Sequence, residues 1–241
     1  MSFRPVLIRP GDPAVFPSPL GAGREGLVAV GGDLEPGRLL AAYRSGIFPW
    51  YDAELPLWWS PDPRALMSAD KLHVSRSLLR FLNKTDWRVT FDEAFTRVMH
   101  ECSQEREDGT WIHPEMIDAY TRLAESGDAH SVEVWDGDAL VGGLYGVSCG
   151  ALFAAESMFH RRTNASKVAL ATTLLVLFDA GVRVFDVQFV TPHLASLGAY
   201  EVSRRQYLTL ASQAAETELS LARLRGRDLL GAARALLGRE D

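Results

Sequence analysis

Between Gly46 and Arg64 the chain reads Gly-Ile-Phe-Pro-Trp-Tyr-Asp-Ala-Glu-Leu-Pro-Leu-Trp-Trp-Ser-Pro-Asp-Pro-Arg, a run holding three of the six tryptophans and four of the twelve prolines. It fits neither a helical period nor strict alternation. Each proline also removes a backbone donor, so the run is expected to be an irregular connector and not a central strand or helix interior. Aromatic rings on stiff backbone lose little entropy when they bind a flat partner, and a nucleobase offers such a face. The same rings would serve equally to plug a core, and the run alone leaves both readings open.

The 241 residues suffice for one large domain or two modest ones, and 47% hydrophobic with 23% charged residues supplies a sizeable core. No apolar stretch is long enough to cross a bilayer, and Pro5 and Pro10 break the N-terminus, which lacks a secretory core. Cys102 and Cys149 are the only cysteines, which argues against a disulfide framework or a zinc site and for a reducing, cytoplasmic setting. Net charge is −6, so nucleic acid would have to be met by a local basic patch. The candidates are Arg76, Arg80 and Lys84, then Arg161, Arg162 and Lys167, then Arg204 and Arg205. A solvated helix face has the same appearance.

Leu27 to Val30 reads as a short strand. Asp33 is expected to cap the next helix, with Pro36 in its first turn and Gly46 just past its end. Everything up to about Ser60 reads as a small first unit, residues 1–60, with Pro61-Asp62-Pro63 as the crossing into residues 61–241. The remainder alternates. Ser75 to Lys84 is a basic amphipathic helix, and Trp87 to Phe91 a strand. Asp92 is expected to cap a helix bearing Phe95, Val98, Met99 and Cys102. Pro114 to Ser126 is a helix, and Asp136-Gly137-Asp138 is a hairpin turn between two strands. A strand to Met158, a long apolar helix from Asn164 and a strand from Val182 to Val187 follow. The fold class is α+β. The order of hairpin, helix and strand in the second unit is that of an acyltransferase core of the N-acetyltransferase (GNAT) type, an analogy that licenses no function by itself.

Two polar features stand out in apolar strands. Asp186 and Gln188 share a face under period two. A carboxylate there could take a proton from an amine and an amide could hold a carbonyl, or both could simply cap the following loop. Glu156 interrupts Phe153-Ala154-Ala155-Glu156-Ser157-Met158-Phe159, so it either faces solvent or lines a cavity. A local bulge would be needed for Phe153, Glu156 and Met158 to line one pocket. The six histidines show no metal-ligand spacing, and no phosphate loop, dinucleotide fingerprint or nucleophile elbow is present. Cys149, beside Gly150, is expected in a turn where it could be exposed.

In order along the chain come Gly26-Leu27-Val28-Ala29-Val30-Gly31-Gly32-Asp33-Leu34, Tyr43-Arg44-Ser45-Gly46-Ile47-Phe48-Pro49-Trp50 and Trp58-Trp59-Ser60-Pro61-Asp62-Pro63-Arg64. His73-Val74-Ser75-Arg76-Ser77 and Gly109-Thr110-Trp111-Ile112 follow. Glu156-Ser157-Met158-Phe159, Asp186-Val187-Gln188 and His193-Leu194-Ala195-Ser196-Leu197-Gly198-Ala199 complete the series. From about Phe16 to Tyr207 the chain resembles the leucyl/phenylalanyl-tRNA–protein transferases.

That resemblance implies transfer of Leu or Phe, and weakly Met, from aminoacyl-tRNA to the N-terminal Arg or Lys of a protein, marking it for N-end degradation. It implies a small N-terminal domain joined to an N-acetyltransferase-like C-terminal domain. It places Asp186 and Gln188 at the reaction centre, and Trp50, Trp111, Tyr120, Phe153, Glu156 and Met158 around the aminoacyl-adenosine end. Leu144, Leu170 and Phe185 fall at the apolar side-chain pocket. Arg76, Arg80, Lys84, Arg161, Arg162 and Lys167 are the candidates for tRNA contact. The donor ester is already activated, so no cofactor and no metal is called for, and nothing requires more than a monomer or any membrane. Ala155 stands where the family usually has Gly, Leu144 and Thr173 where others carry Met and an aromatic, and Ser203 where Pro is common. Past about Leu219 the match fades into one or two expected helices. An acetyl-CoA-dependent N-acetyltransferase is the first alternative, although Arg161 to Lys167 lacks a pyrophosphate-loop glycine. A non-catalytic RNA-binding module is the second.

Overall fold

The computed structural model describes residues 4–52, 55–104 and 110–238. Ala53 and Glu54 of the aromatic run, Gly109 of its motif and the extreme termini lie outside them. The elements in order are β1 (Val6–Ile8), β2 (Leu27–Gly31), α1 (Pro36–Arg44), β3 (Phe48–Asp52), β4 (Leu55–Trp59), β5 (Arg64–Met67), α2 (Arg76–Lys84), β6 (Arg88–Phe91), α3 (Phe95–Gln104) and α4 (Pro114–Ser126). Then come β7 (Ala129–Asp136), β8 (Ala139–Cys149), β9 (Leu152–His160), α5 (Ala165–Asp179), β10 (Val184–Gln188), α6 (Pro192–Ser196), β11 (Tyr200–Val202), α7 (Arg204–Ala215) and α8 (Leu229–Leu237).

The strands form two sheets of mixed α+β architecture, one of order β1-β2-β4-β3 and one of order β11-β5-β10-β9-β8-β7-β6. The first sheet lies within residues 6–59 and the second within residues 64–202. Buried side chains of both sheets nevertheless belong to one cluster, which holds Trp58 of β4 with Tyr145 of β8 and includes Tyr43 of α1, Tyr120 of α4 and Tyr207 of α7.

The aromatic run overturns its sequence reading. It is not an irregular connector: β3 and β4 are a paired hairpin, and β4 is an inner strand between β2 and β3. The prolines fit because neither has to donate inside the ladder. Pro49 lies on β3, the sheet edge, and Pro56 opposes Tyr51 beyond the last residue at which β4 pairs with β2. Trp58 is fully buried, with Nε1 donating to the Gly31 carbonyl at 2.8 Å.

Two helix caps are also corrected. Glu35, not Asp33, is the N-cap of α1. Asp33 instead receives Nε and Nη2 of buried Arg38 at 2.9 and 3.1 Å, and these bonds hold its carboxyl down at about 2. Asp92 does not cap α3. It takes a left-handed backbone, φ 59°, and accepts from His130 Nδ1 and the Ser131 amide. The amides entering α3, Glu93 and Ala94, go to the buried Glu133 carboxylate of β7 at 3.4 and 3.2 Å. A buried acid from a neighbouring strand does the work of a cap that the local sequence had suggested.

The C-terminal tail packs on the second sheet's helical layer. Arg223 donates to the Ala180 carbonyl at the end of α5, and Arg234 to Leu82 and Thr85 at the end of α2. Each arginine thereby satisfies carbonyls left over at a helix C-terminus. Ser203, which stands where proline is common in the resembled family, is the N-cap of α7 in a capping box with Gln206.

Candidate active site

The helix α5 connects β9 to β10, which pair in parallel only at Val184–Leu152, Phe185–Phe153 and Asp186–Ala154. Beyond Ala154 the two strands part, each still paired on its outer side, β9 with β8 and β10 with β5. The parting opens a cavity of about 440 Å³. Ala155, Glu156, Ser157 and Met158 of β9 form one side, and Val187, Gln188 and Phe189 at the end of β10 the other. Phe48, Trp50 and Trp111 form its aromatic rim, with Leu144, His193 and Leu194 completing the wall.

Each of the two strands carries an irregularity where it borders the cavity. On β9, Ser157 opposes Tyr145 and Ala155 opposes Gly146, so Glu156 is an extra residue without a partner on β8. Gly146 is required there: a Cβ would lie 2.4 Å from the Ala154 carbonyl oxygen and 2.6 Å from the Phe153 ring. On β10, Asp186 opposes Leu66 and Gln188 opposes Ala65, so Val187 is the extra residue, and Gln188 takes a left-handed backbone of φ 57°. The strand does bulge at Glu156, which lines the cavity with Met158, but Phe153 stays out of its wall. Strict period two fails on β10, so Asp186 turns into the core while Gln188 turns into the cavity.

Gln188 Nε2 donates to Glu156 Oε1 at 3.2 Å. Behind Glu156 stands the Tyr43 hydroxyl, which hydrogen-bonds the same carboxyl and lies 2.5 Å from the Tyr120 hydroxyl. Burial pushes the Glu156 carboxyl up from its ordinary value to about 8. The Tyr43 bond and Arg64 work against that rise, and Asp186 adds to it. Glu156 therefore changes charge near neutral pH, inside a largely apolar cavity.

Asp186 is fully buried and outside the cavity wall. Its Oδ1 accepts from Arg64 Nε at 2.8 Å and the Gln188 amide at 2.9 Å; its Oδ2 accepts from Arg64 Nη2 at 2.6 Å and the Tyr207 hydroxyl at 2.8 Å. Burial disfavours the Arg64 charge, but Asp186, Tyr207 and Glu156 together more than offset it and raise the guanidinium pKa. The guanidinium lies over the Phe48 ring at 4.7 Å and the Tyr207 ring at 4.3 Å.

Of the residues named from sequence, Trp50, Trp111, Leu144, Glu156, Met158 and Gln188 line the cavity. Phe153, Leu170 and Phe185 are fully buried with Leu144 in one apolar cluster, Phe153 stacked on Phe185 at 5.4 Å. They lie behind the wall, not in it. Tyr120 is not in the cavity wall, and its hydroxyl contacts that of Tyr43. Sequence reading gave no site role to Tyr43, Arg64 or Tyr207, although the first two lie inside quoted motifs, because their partners Glu156 and Asp186 are distant along the chain. It also missed Phe189, which packs against both Trp50 and Phe48 at ring distances of 5.6 and 6.0 Å. Thr173 is buried, its hydroxyl donating to the Ala169 carbonyl at 2.7 Å within α5.

The basic candidates separate. Arg76, Arg80 and Lys84 are exposed on one side of α2, opposite buried Leu78 and Leu82, and among the described residues none of them is in an ion pair. Arg161 is paired with Glu101 and Arg162 with Asp136. Lys167 lies close enough to His193 to lower its pKa, after burial and together with His160. Arg204 is turned inward and donates to the Pro19, Ala22 and Gly23 carbonyls. Cys149 is buried, not exposed, and burial pushes its thiol up to about 12, which makes it a poor nucleophile. Among the described residues no helix is long and apolar enough to cross a membrane, and no cluster of His, Cys, Asp and Glu could hold a metal.

Comparison with known proteins places the chain beside one group. The family model described as leucyl/phenylalanyl-tRNA protein transferase matches residues 66–212, and that for the N-terminal domain of the same proteins matches residues 32–62. A leucyl/phenylalanyl-tRNA–protein transferase of Anaeromyxobacter sp. (strain K) is 52% identical over 233 residues, covering 95% of this chain and 98% of that one. Those of Citrobacter koseri and Shewanella baltica are 54% and 51% identical, covering 80% and 82% of this chain and 84% and 86% of theirs.

Proposed function

Because the chain belongs to the leucyl/phenylalanyl-tRNA–protein transferase family and is therefore an aminoacyltransferase, we propose that its cavity holds the aminoacylated 3′ end of Leu-tRNA or Phe-tRNA while the N-terminal α-amine of an Arg- or Lys-initiated protein attacks the ester. The observation that carries this reading is the meeting of Glu156 and Gln188 across the parted ends of β9 and β10, within an apolar cavity rimmed by tryptophans. The parted parallel pair and the helix crossing it support an N-acetyltransferase-like second domain. The product would be a protein bearing a new N-terminal Leu or Phe, a mark for N-end degradation in the cytoplasm.

The amine nitrogen forms a bond to the ester carbonyl carbon, the bond from that carbon to the ribose oxygen breaks, and the tRNA leaves as its alcohol. One proton must leave the amine and one must reach the departing oxygen. An α-amine has an ordinary pKa of about 8, so the barrier lies in orientation and in charge developing on the carbonyl oxygen. The Gln188 carboxamide, held by Glu156, offers its oxygen to the amine and its remaining N–H to the carbonyl. Trp50 and Trp111 supply stacking faces for the terminal adenine. Leu144, Met158 and Leu194 form an apolar wall for the Leu or Phe side chain, with Met158 adapting to either shape. The exposed cations of α2, in no ion pair among the described residues, are the first candidates for the tRNA phosphates.

Purified protein supplied with Leu-tRNA and an Arg-initiated peptide should yield the peptide extended by one Leu. A peptide left unextended, or one acetylated when acetyl-CoA is supplied, would reject the reading.

A further inference from the structure

We propose that Arg64 is a positioning residue for the transfer reaction: through Asp186 it fixes the left-handed backbone at Gln188 that turns the Gln188 carboxamide into the cavity. The inference rests on the proposed function only for its kinetic readout.

A carboxylate offers about four lone-pair directions, and all its interactions are acceptor interactions. Asp186 already receives four N–H or O–H donors, two from Arg64, one from Tyr207 and one from the Gln188 backbone. It is fully buried and does not line the cavity. No direction remains for a proton arriving from an acceptor amine, so a base role for Asp186 does not suit this geometry. The carboxylate acts as an anchor. Its Oδ1 receives the Gln188 amide, and a non-glycine residue persists at a φ of 57° only where surrounding contacts over-determine it.

Arg64 sets the anchor. Its planar fork meets both Asp186 oxygens at once, a geometry that a lysine ammonium cannot reproduce. The fork is held in turn by the rings of Phe48 and Tyr207 and by the Gly46 carbonyl, 3.3 Å from Nη1. Gly46 follows α1 and Phe48 begins β3, so the first sheet's end braces the guanidinium that orients Gln188. Phe48 also lines the cavity, so the same ring touches both the brace and the site.

The test measures transfer by Arg64→Lys and Tyr207→Phe, each alone and combined with Gln188→Ala. Tyr207→Phe removes one hydroxyl and keeps the ring, so it remains informative should Arg64→Lys not fold. Saturating Leu-tRNA and an Arg-initiated peptide give kcat, and tRNA titration gives Kd. A displacement of about 1 Å in a positioned group lowers rate by up to roughly 100-fold. We expect kcat to fall roughly 10- to 100-fold for Arg64→Lys and less for Tyr207→Phe, with Kd for Leu-tRNA changed less than about threefold. In the Gln188→Ala background neither substitution should lower kcat further. Unchanged kcat in the single variants, a loss confined to Kd, or losses that multiply with Gln188→Ala would overturn the proposal. The hydrogen-exchange rate of the Gln188 amide gives a second readout independent of activity. It should rise in both single variants, and an unchanged rate in both counts against the anchor even if the wild-type protein transferred no amino acid. Absence of transfer by the wild type with faster exchange in the variants would reject the proposed function and leave the anchor standing.

Discussion

Glu156 and Gln188 come within 3.2 Å of each other because each sits at an irregularity in its strand, the first as the extra residue of a bulge and the second in a left-handed turn. Two regular strands of the same sequences would have sent one or both side chains elsewhere, since period two fixes the face. The contact joins a carboxyl that titrates near neutrality to an amide whose backbone is tied to a buried ion pair.

The carboxyl makes stability depend on pH in a defined direction. The pKa of Glu156 is raised from 4.5 to about 8, so between those values the folded protein holds a proton that the unfolded chain has released. This contribution is fully present below the lower value and is lost as pH rises through the upper one. The resulting slope approaches about 1.4 kcal/mol per pH unit at most. Urea unfolding from pH 5 to 9 should show the decline, and Glu156→Gln should flatten it. Parallel curves for the two proteins would reject the assignment.

Tyr43→Phe should move that same decline to higher pH. The Tyr43 hydroxyl favours the ionised Glu156, so its removal leaves burial less opposed. Removing the buried hydrogen bond should also cost about 1 kcal/mol. The denaturation midpoint of the variant, followed across the same pH range, gives both quantities.

Trp50→Ala and Trp111→Ala should each weaken binding of an adenosine-terminated aminoacyl-RNA fragment by about 1–3 kcal/mol, the usual worth of a stacked base. Titration followed by calorimetry measures it. A loss equal for fragments ending in adenosine and in an abasic ribose would remove these rings from the adenine site.

Charge reversal at Arg76, Arg80 and Lys84 should weaken tRNA binding and flatten its salt dependence, by roughly 0.7–0.9 in slope for each phosphate no longer neutralised. The same change at Arg161 and Arg162, already paired with Glu101 and Asp136, should have the smaller effect. Affinity measured at several salt concentrations separates the two sets. The reverse order would move the tRNA path.

Leu144→Ala and Met158→Ala should shift competition between Leu-tRNA and Phe-tRNA toward Phe, because both side chains line the cavity. Leu170→Ala, one layer behind, should instead cost about 2–5 kcal/mol of stability as a buried truncation. Product ratios from one Arg-initiated peptide, with thermal unfolding of each variant, distinguish wall from support. An unchanged ratio in both wall variants would exclude them from the side-chain pocket.

Local chemistry in the sequence was enough to place α2, α4 starting at Pro114, the hairpin turn at Asp136-Gly137-Asp138 and the left-handed Gly46 after α1, since each depends on residues within one or two turns. The order of the motifs along the chain was likewise enough to suggest the family, and an acid inside an apolar strand marked Glu156. What the sequence could not determine was decided by neighbours distant along the chain. The prolines of the aromatic run enter a sheet because their donorless positions fall at an edge and past a strand's last pairing. The amides opening α3 go to Glu133, 39 residues from Ala94, and not to nearby Asp92. Asp186 and Gln188 part company because Arg64, 122 residues from Asp186, claims the carboxylate, a pairing that only the packed sheet brings within reach. Short-range propensity fixes where elements begin and end, whereas the direction of a buried polar side chain follows whichever partner the tertiary fold delivers, since burial without one is too costly.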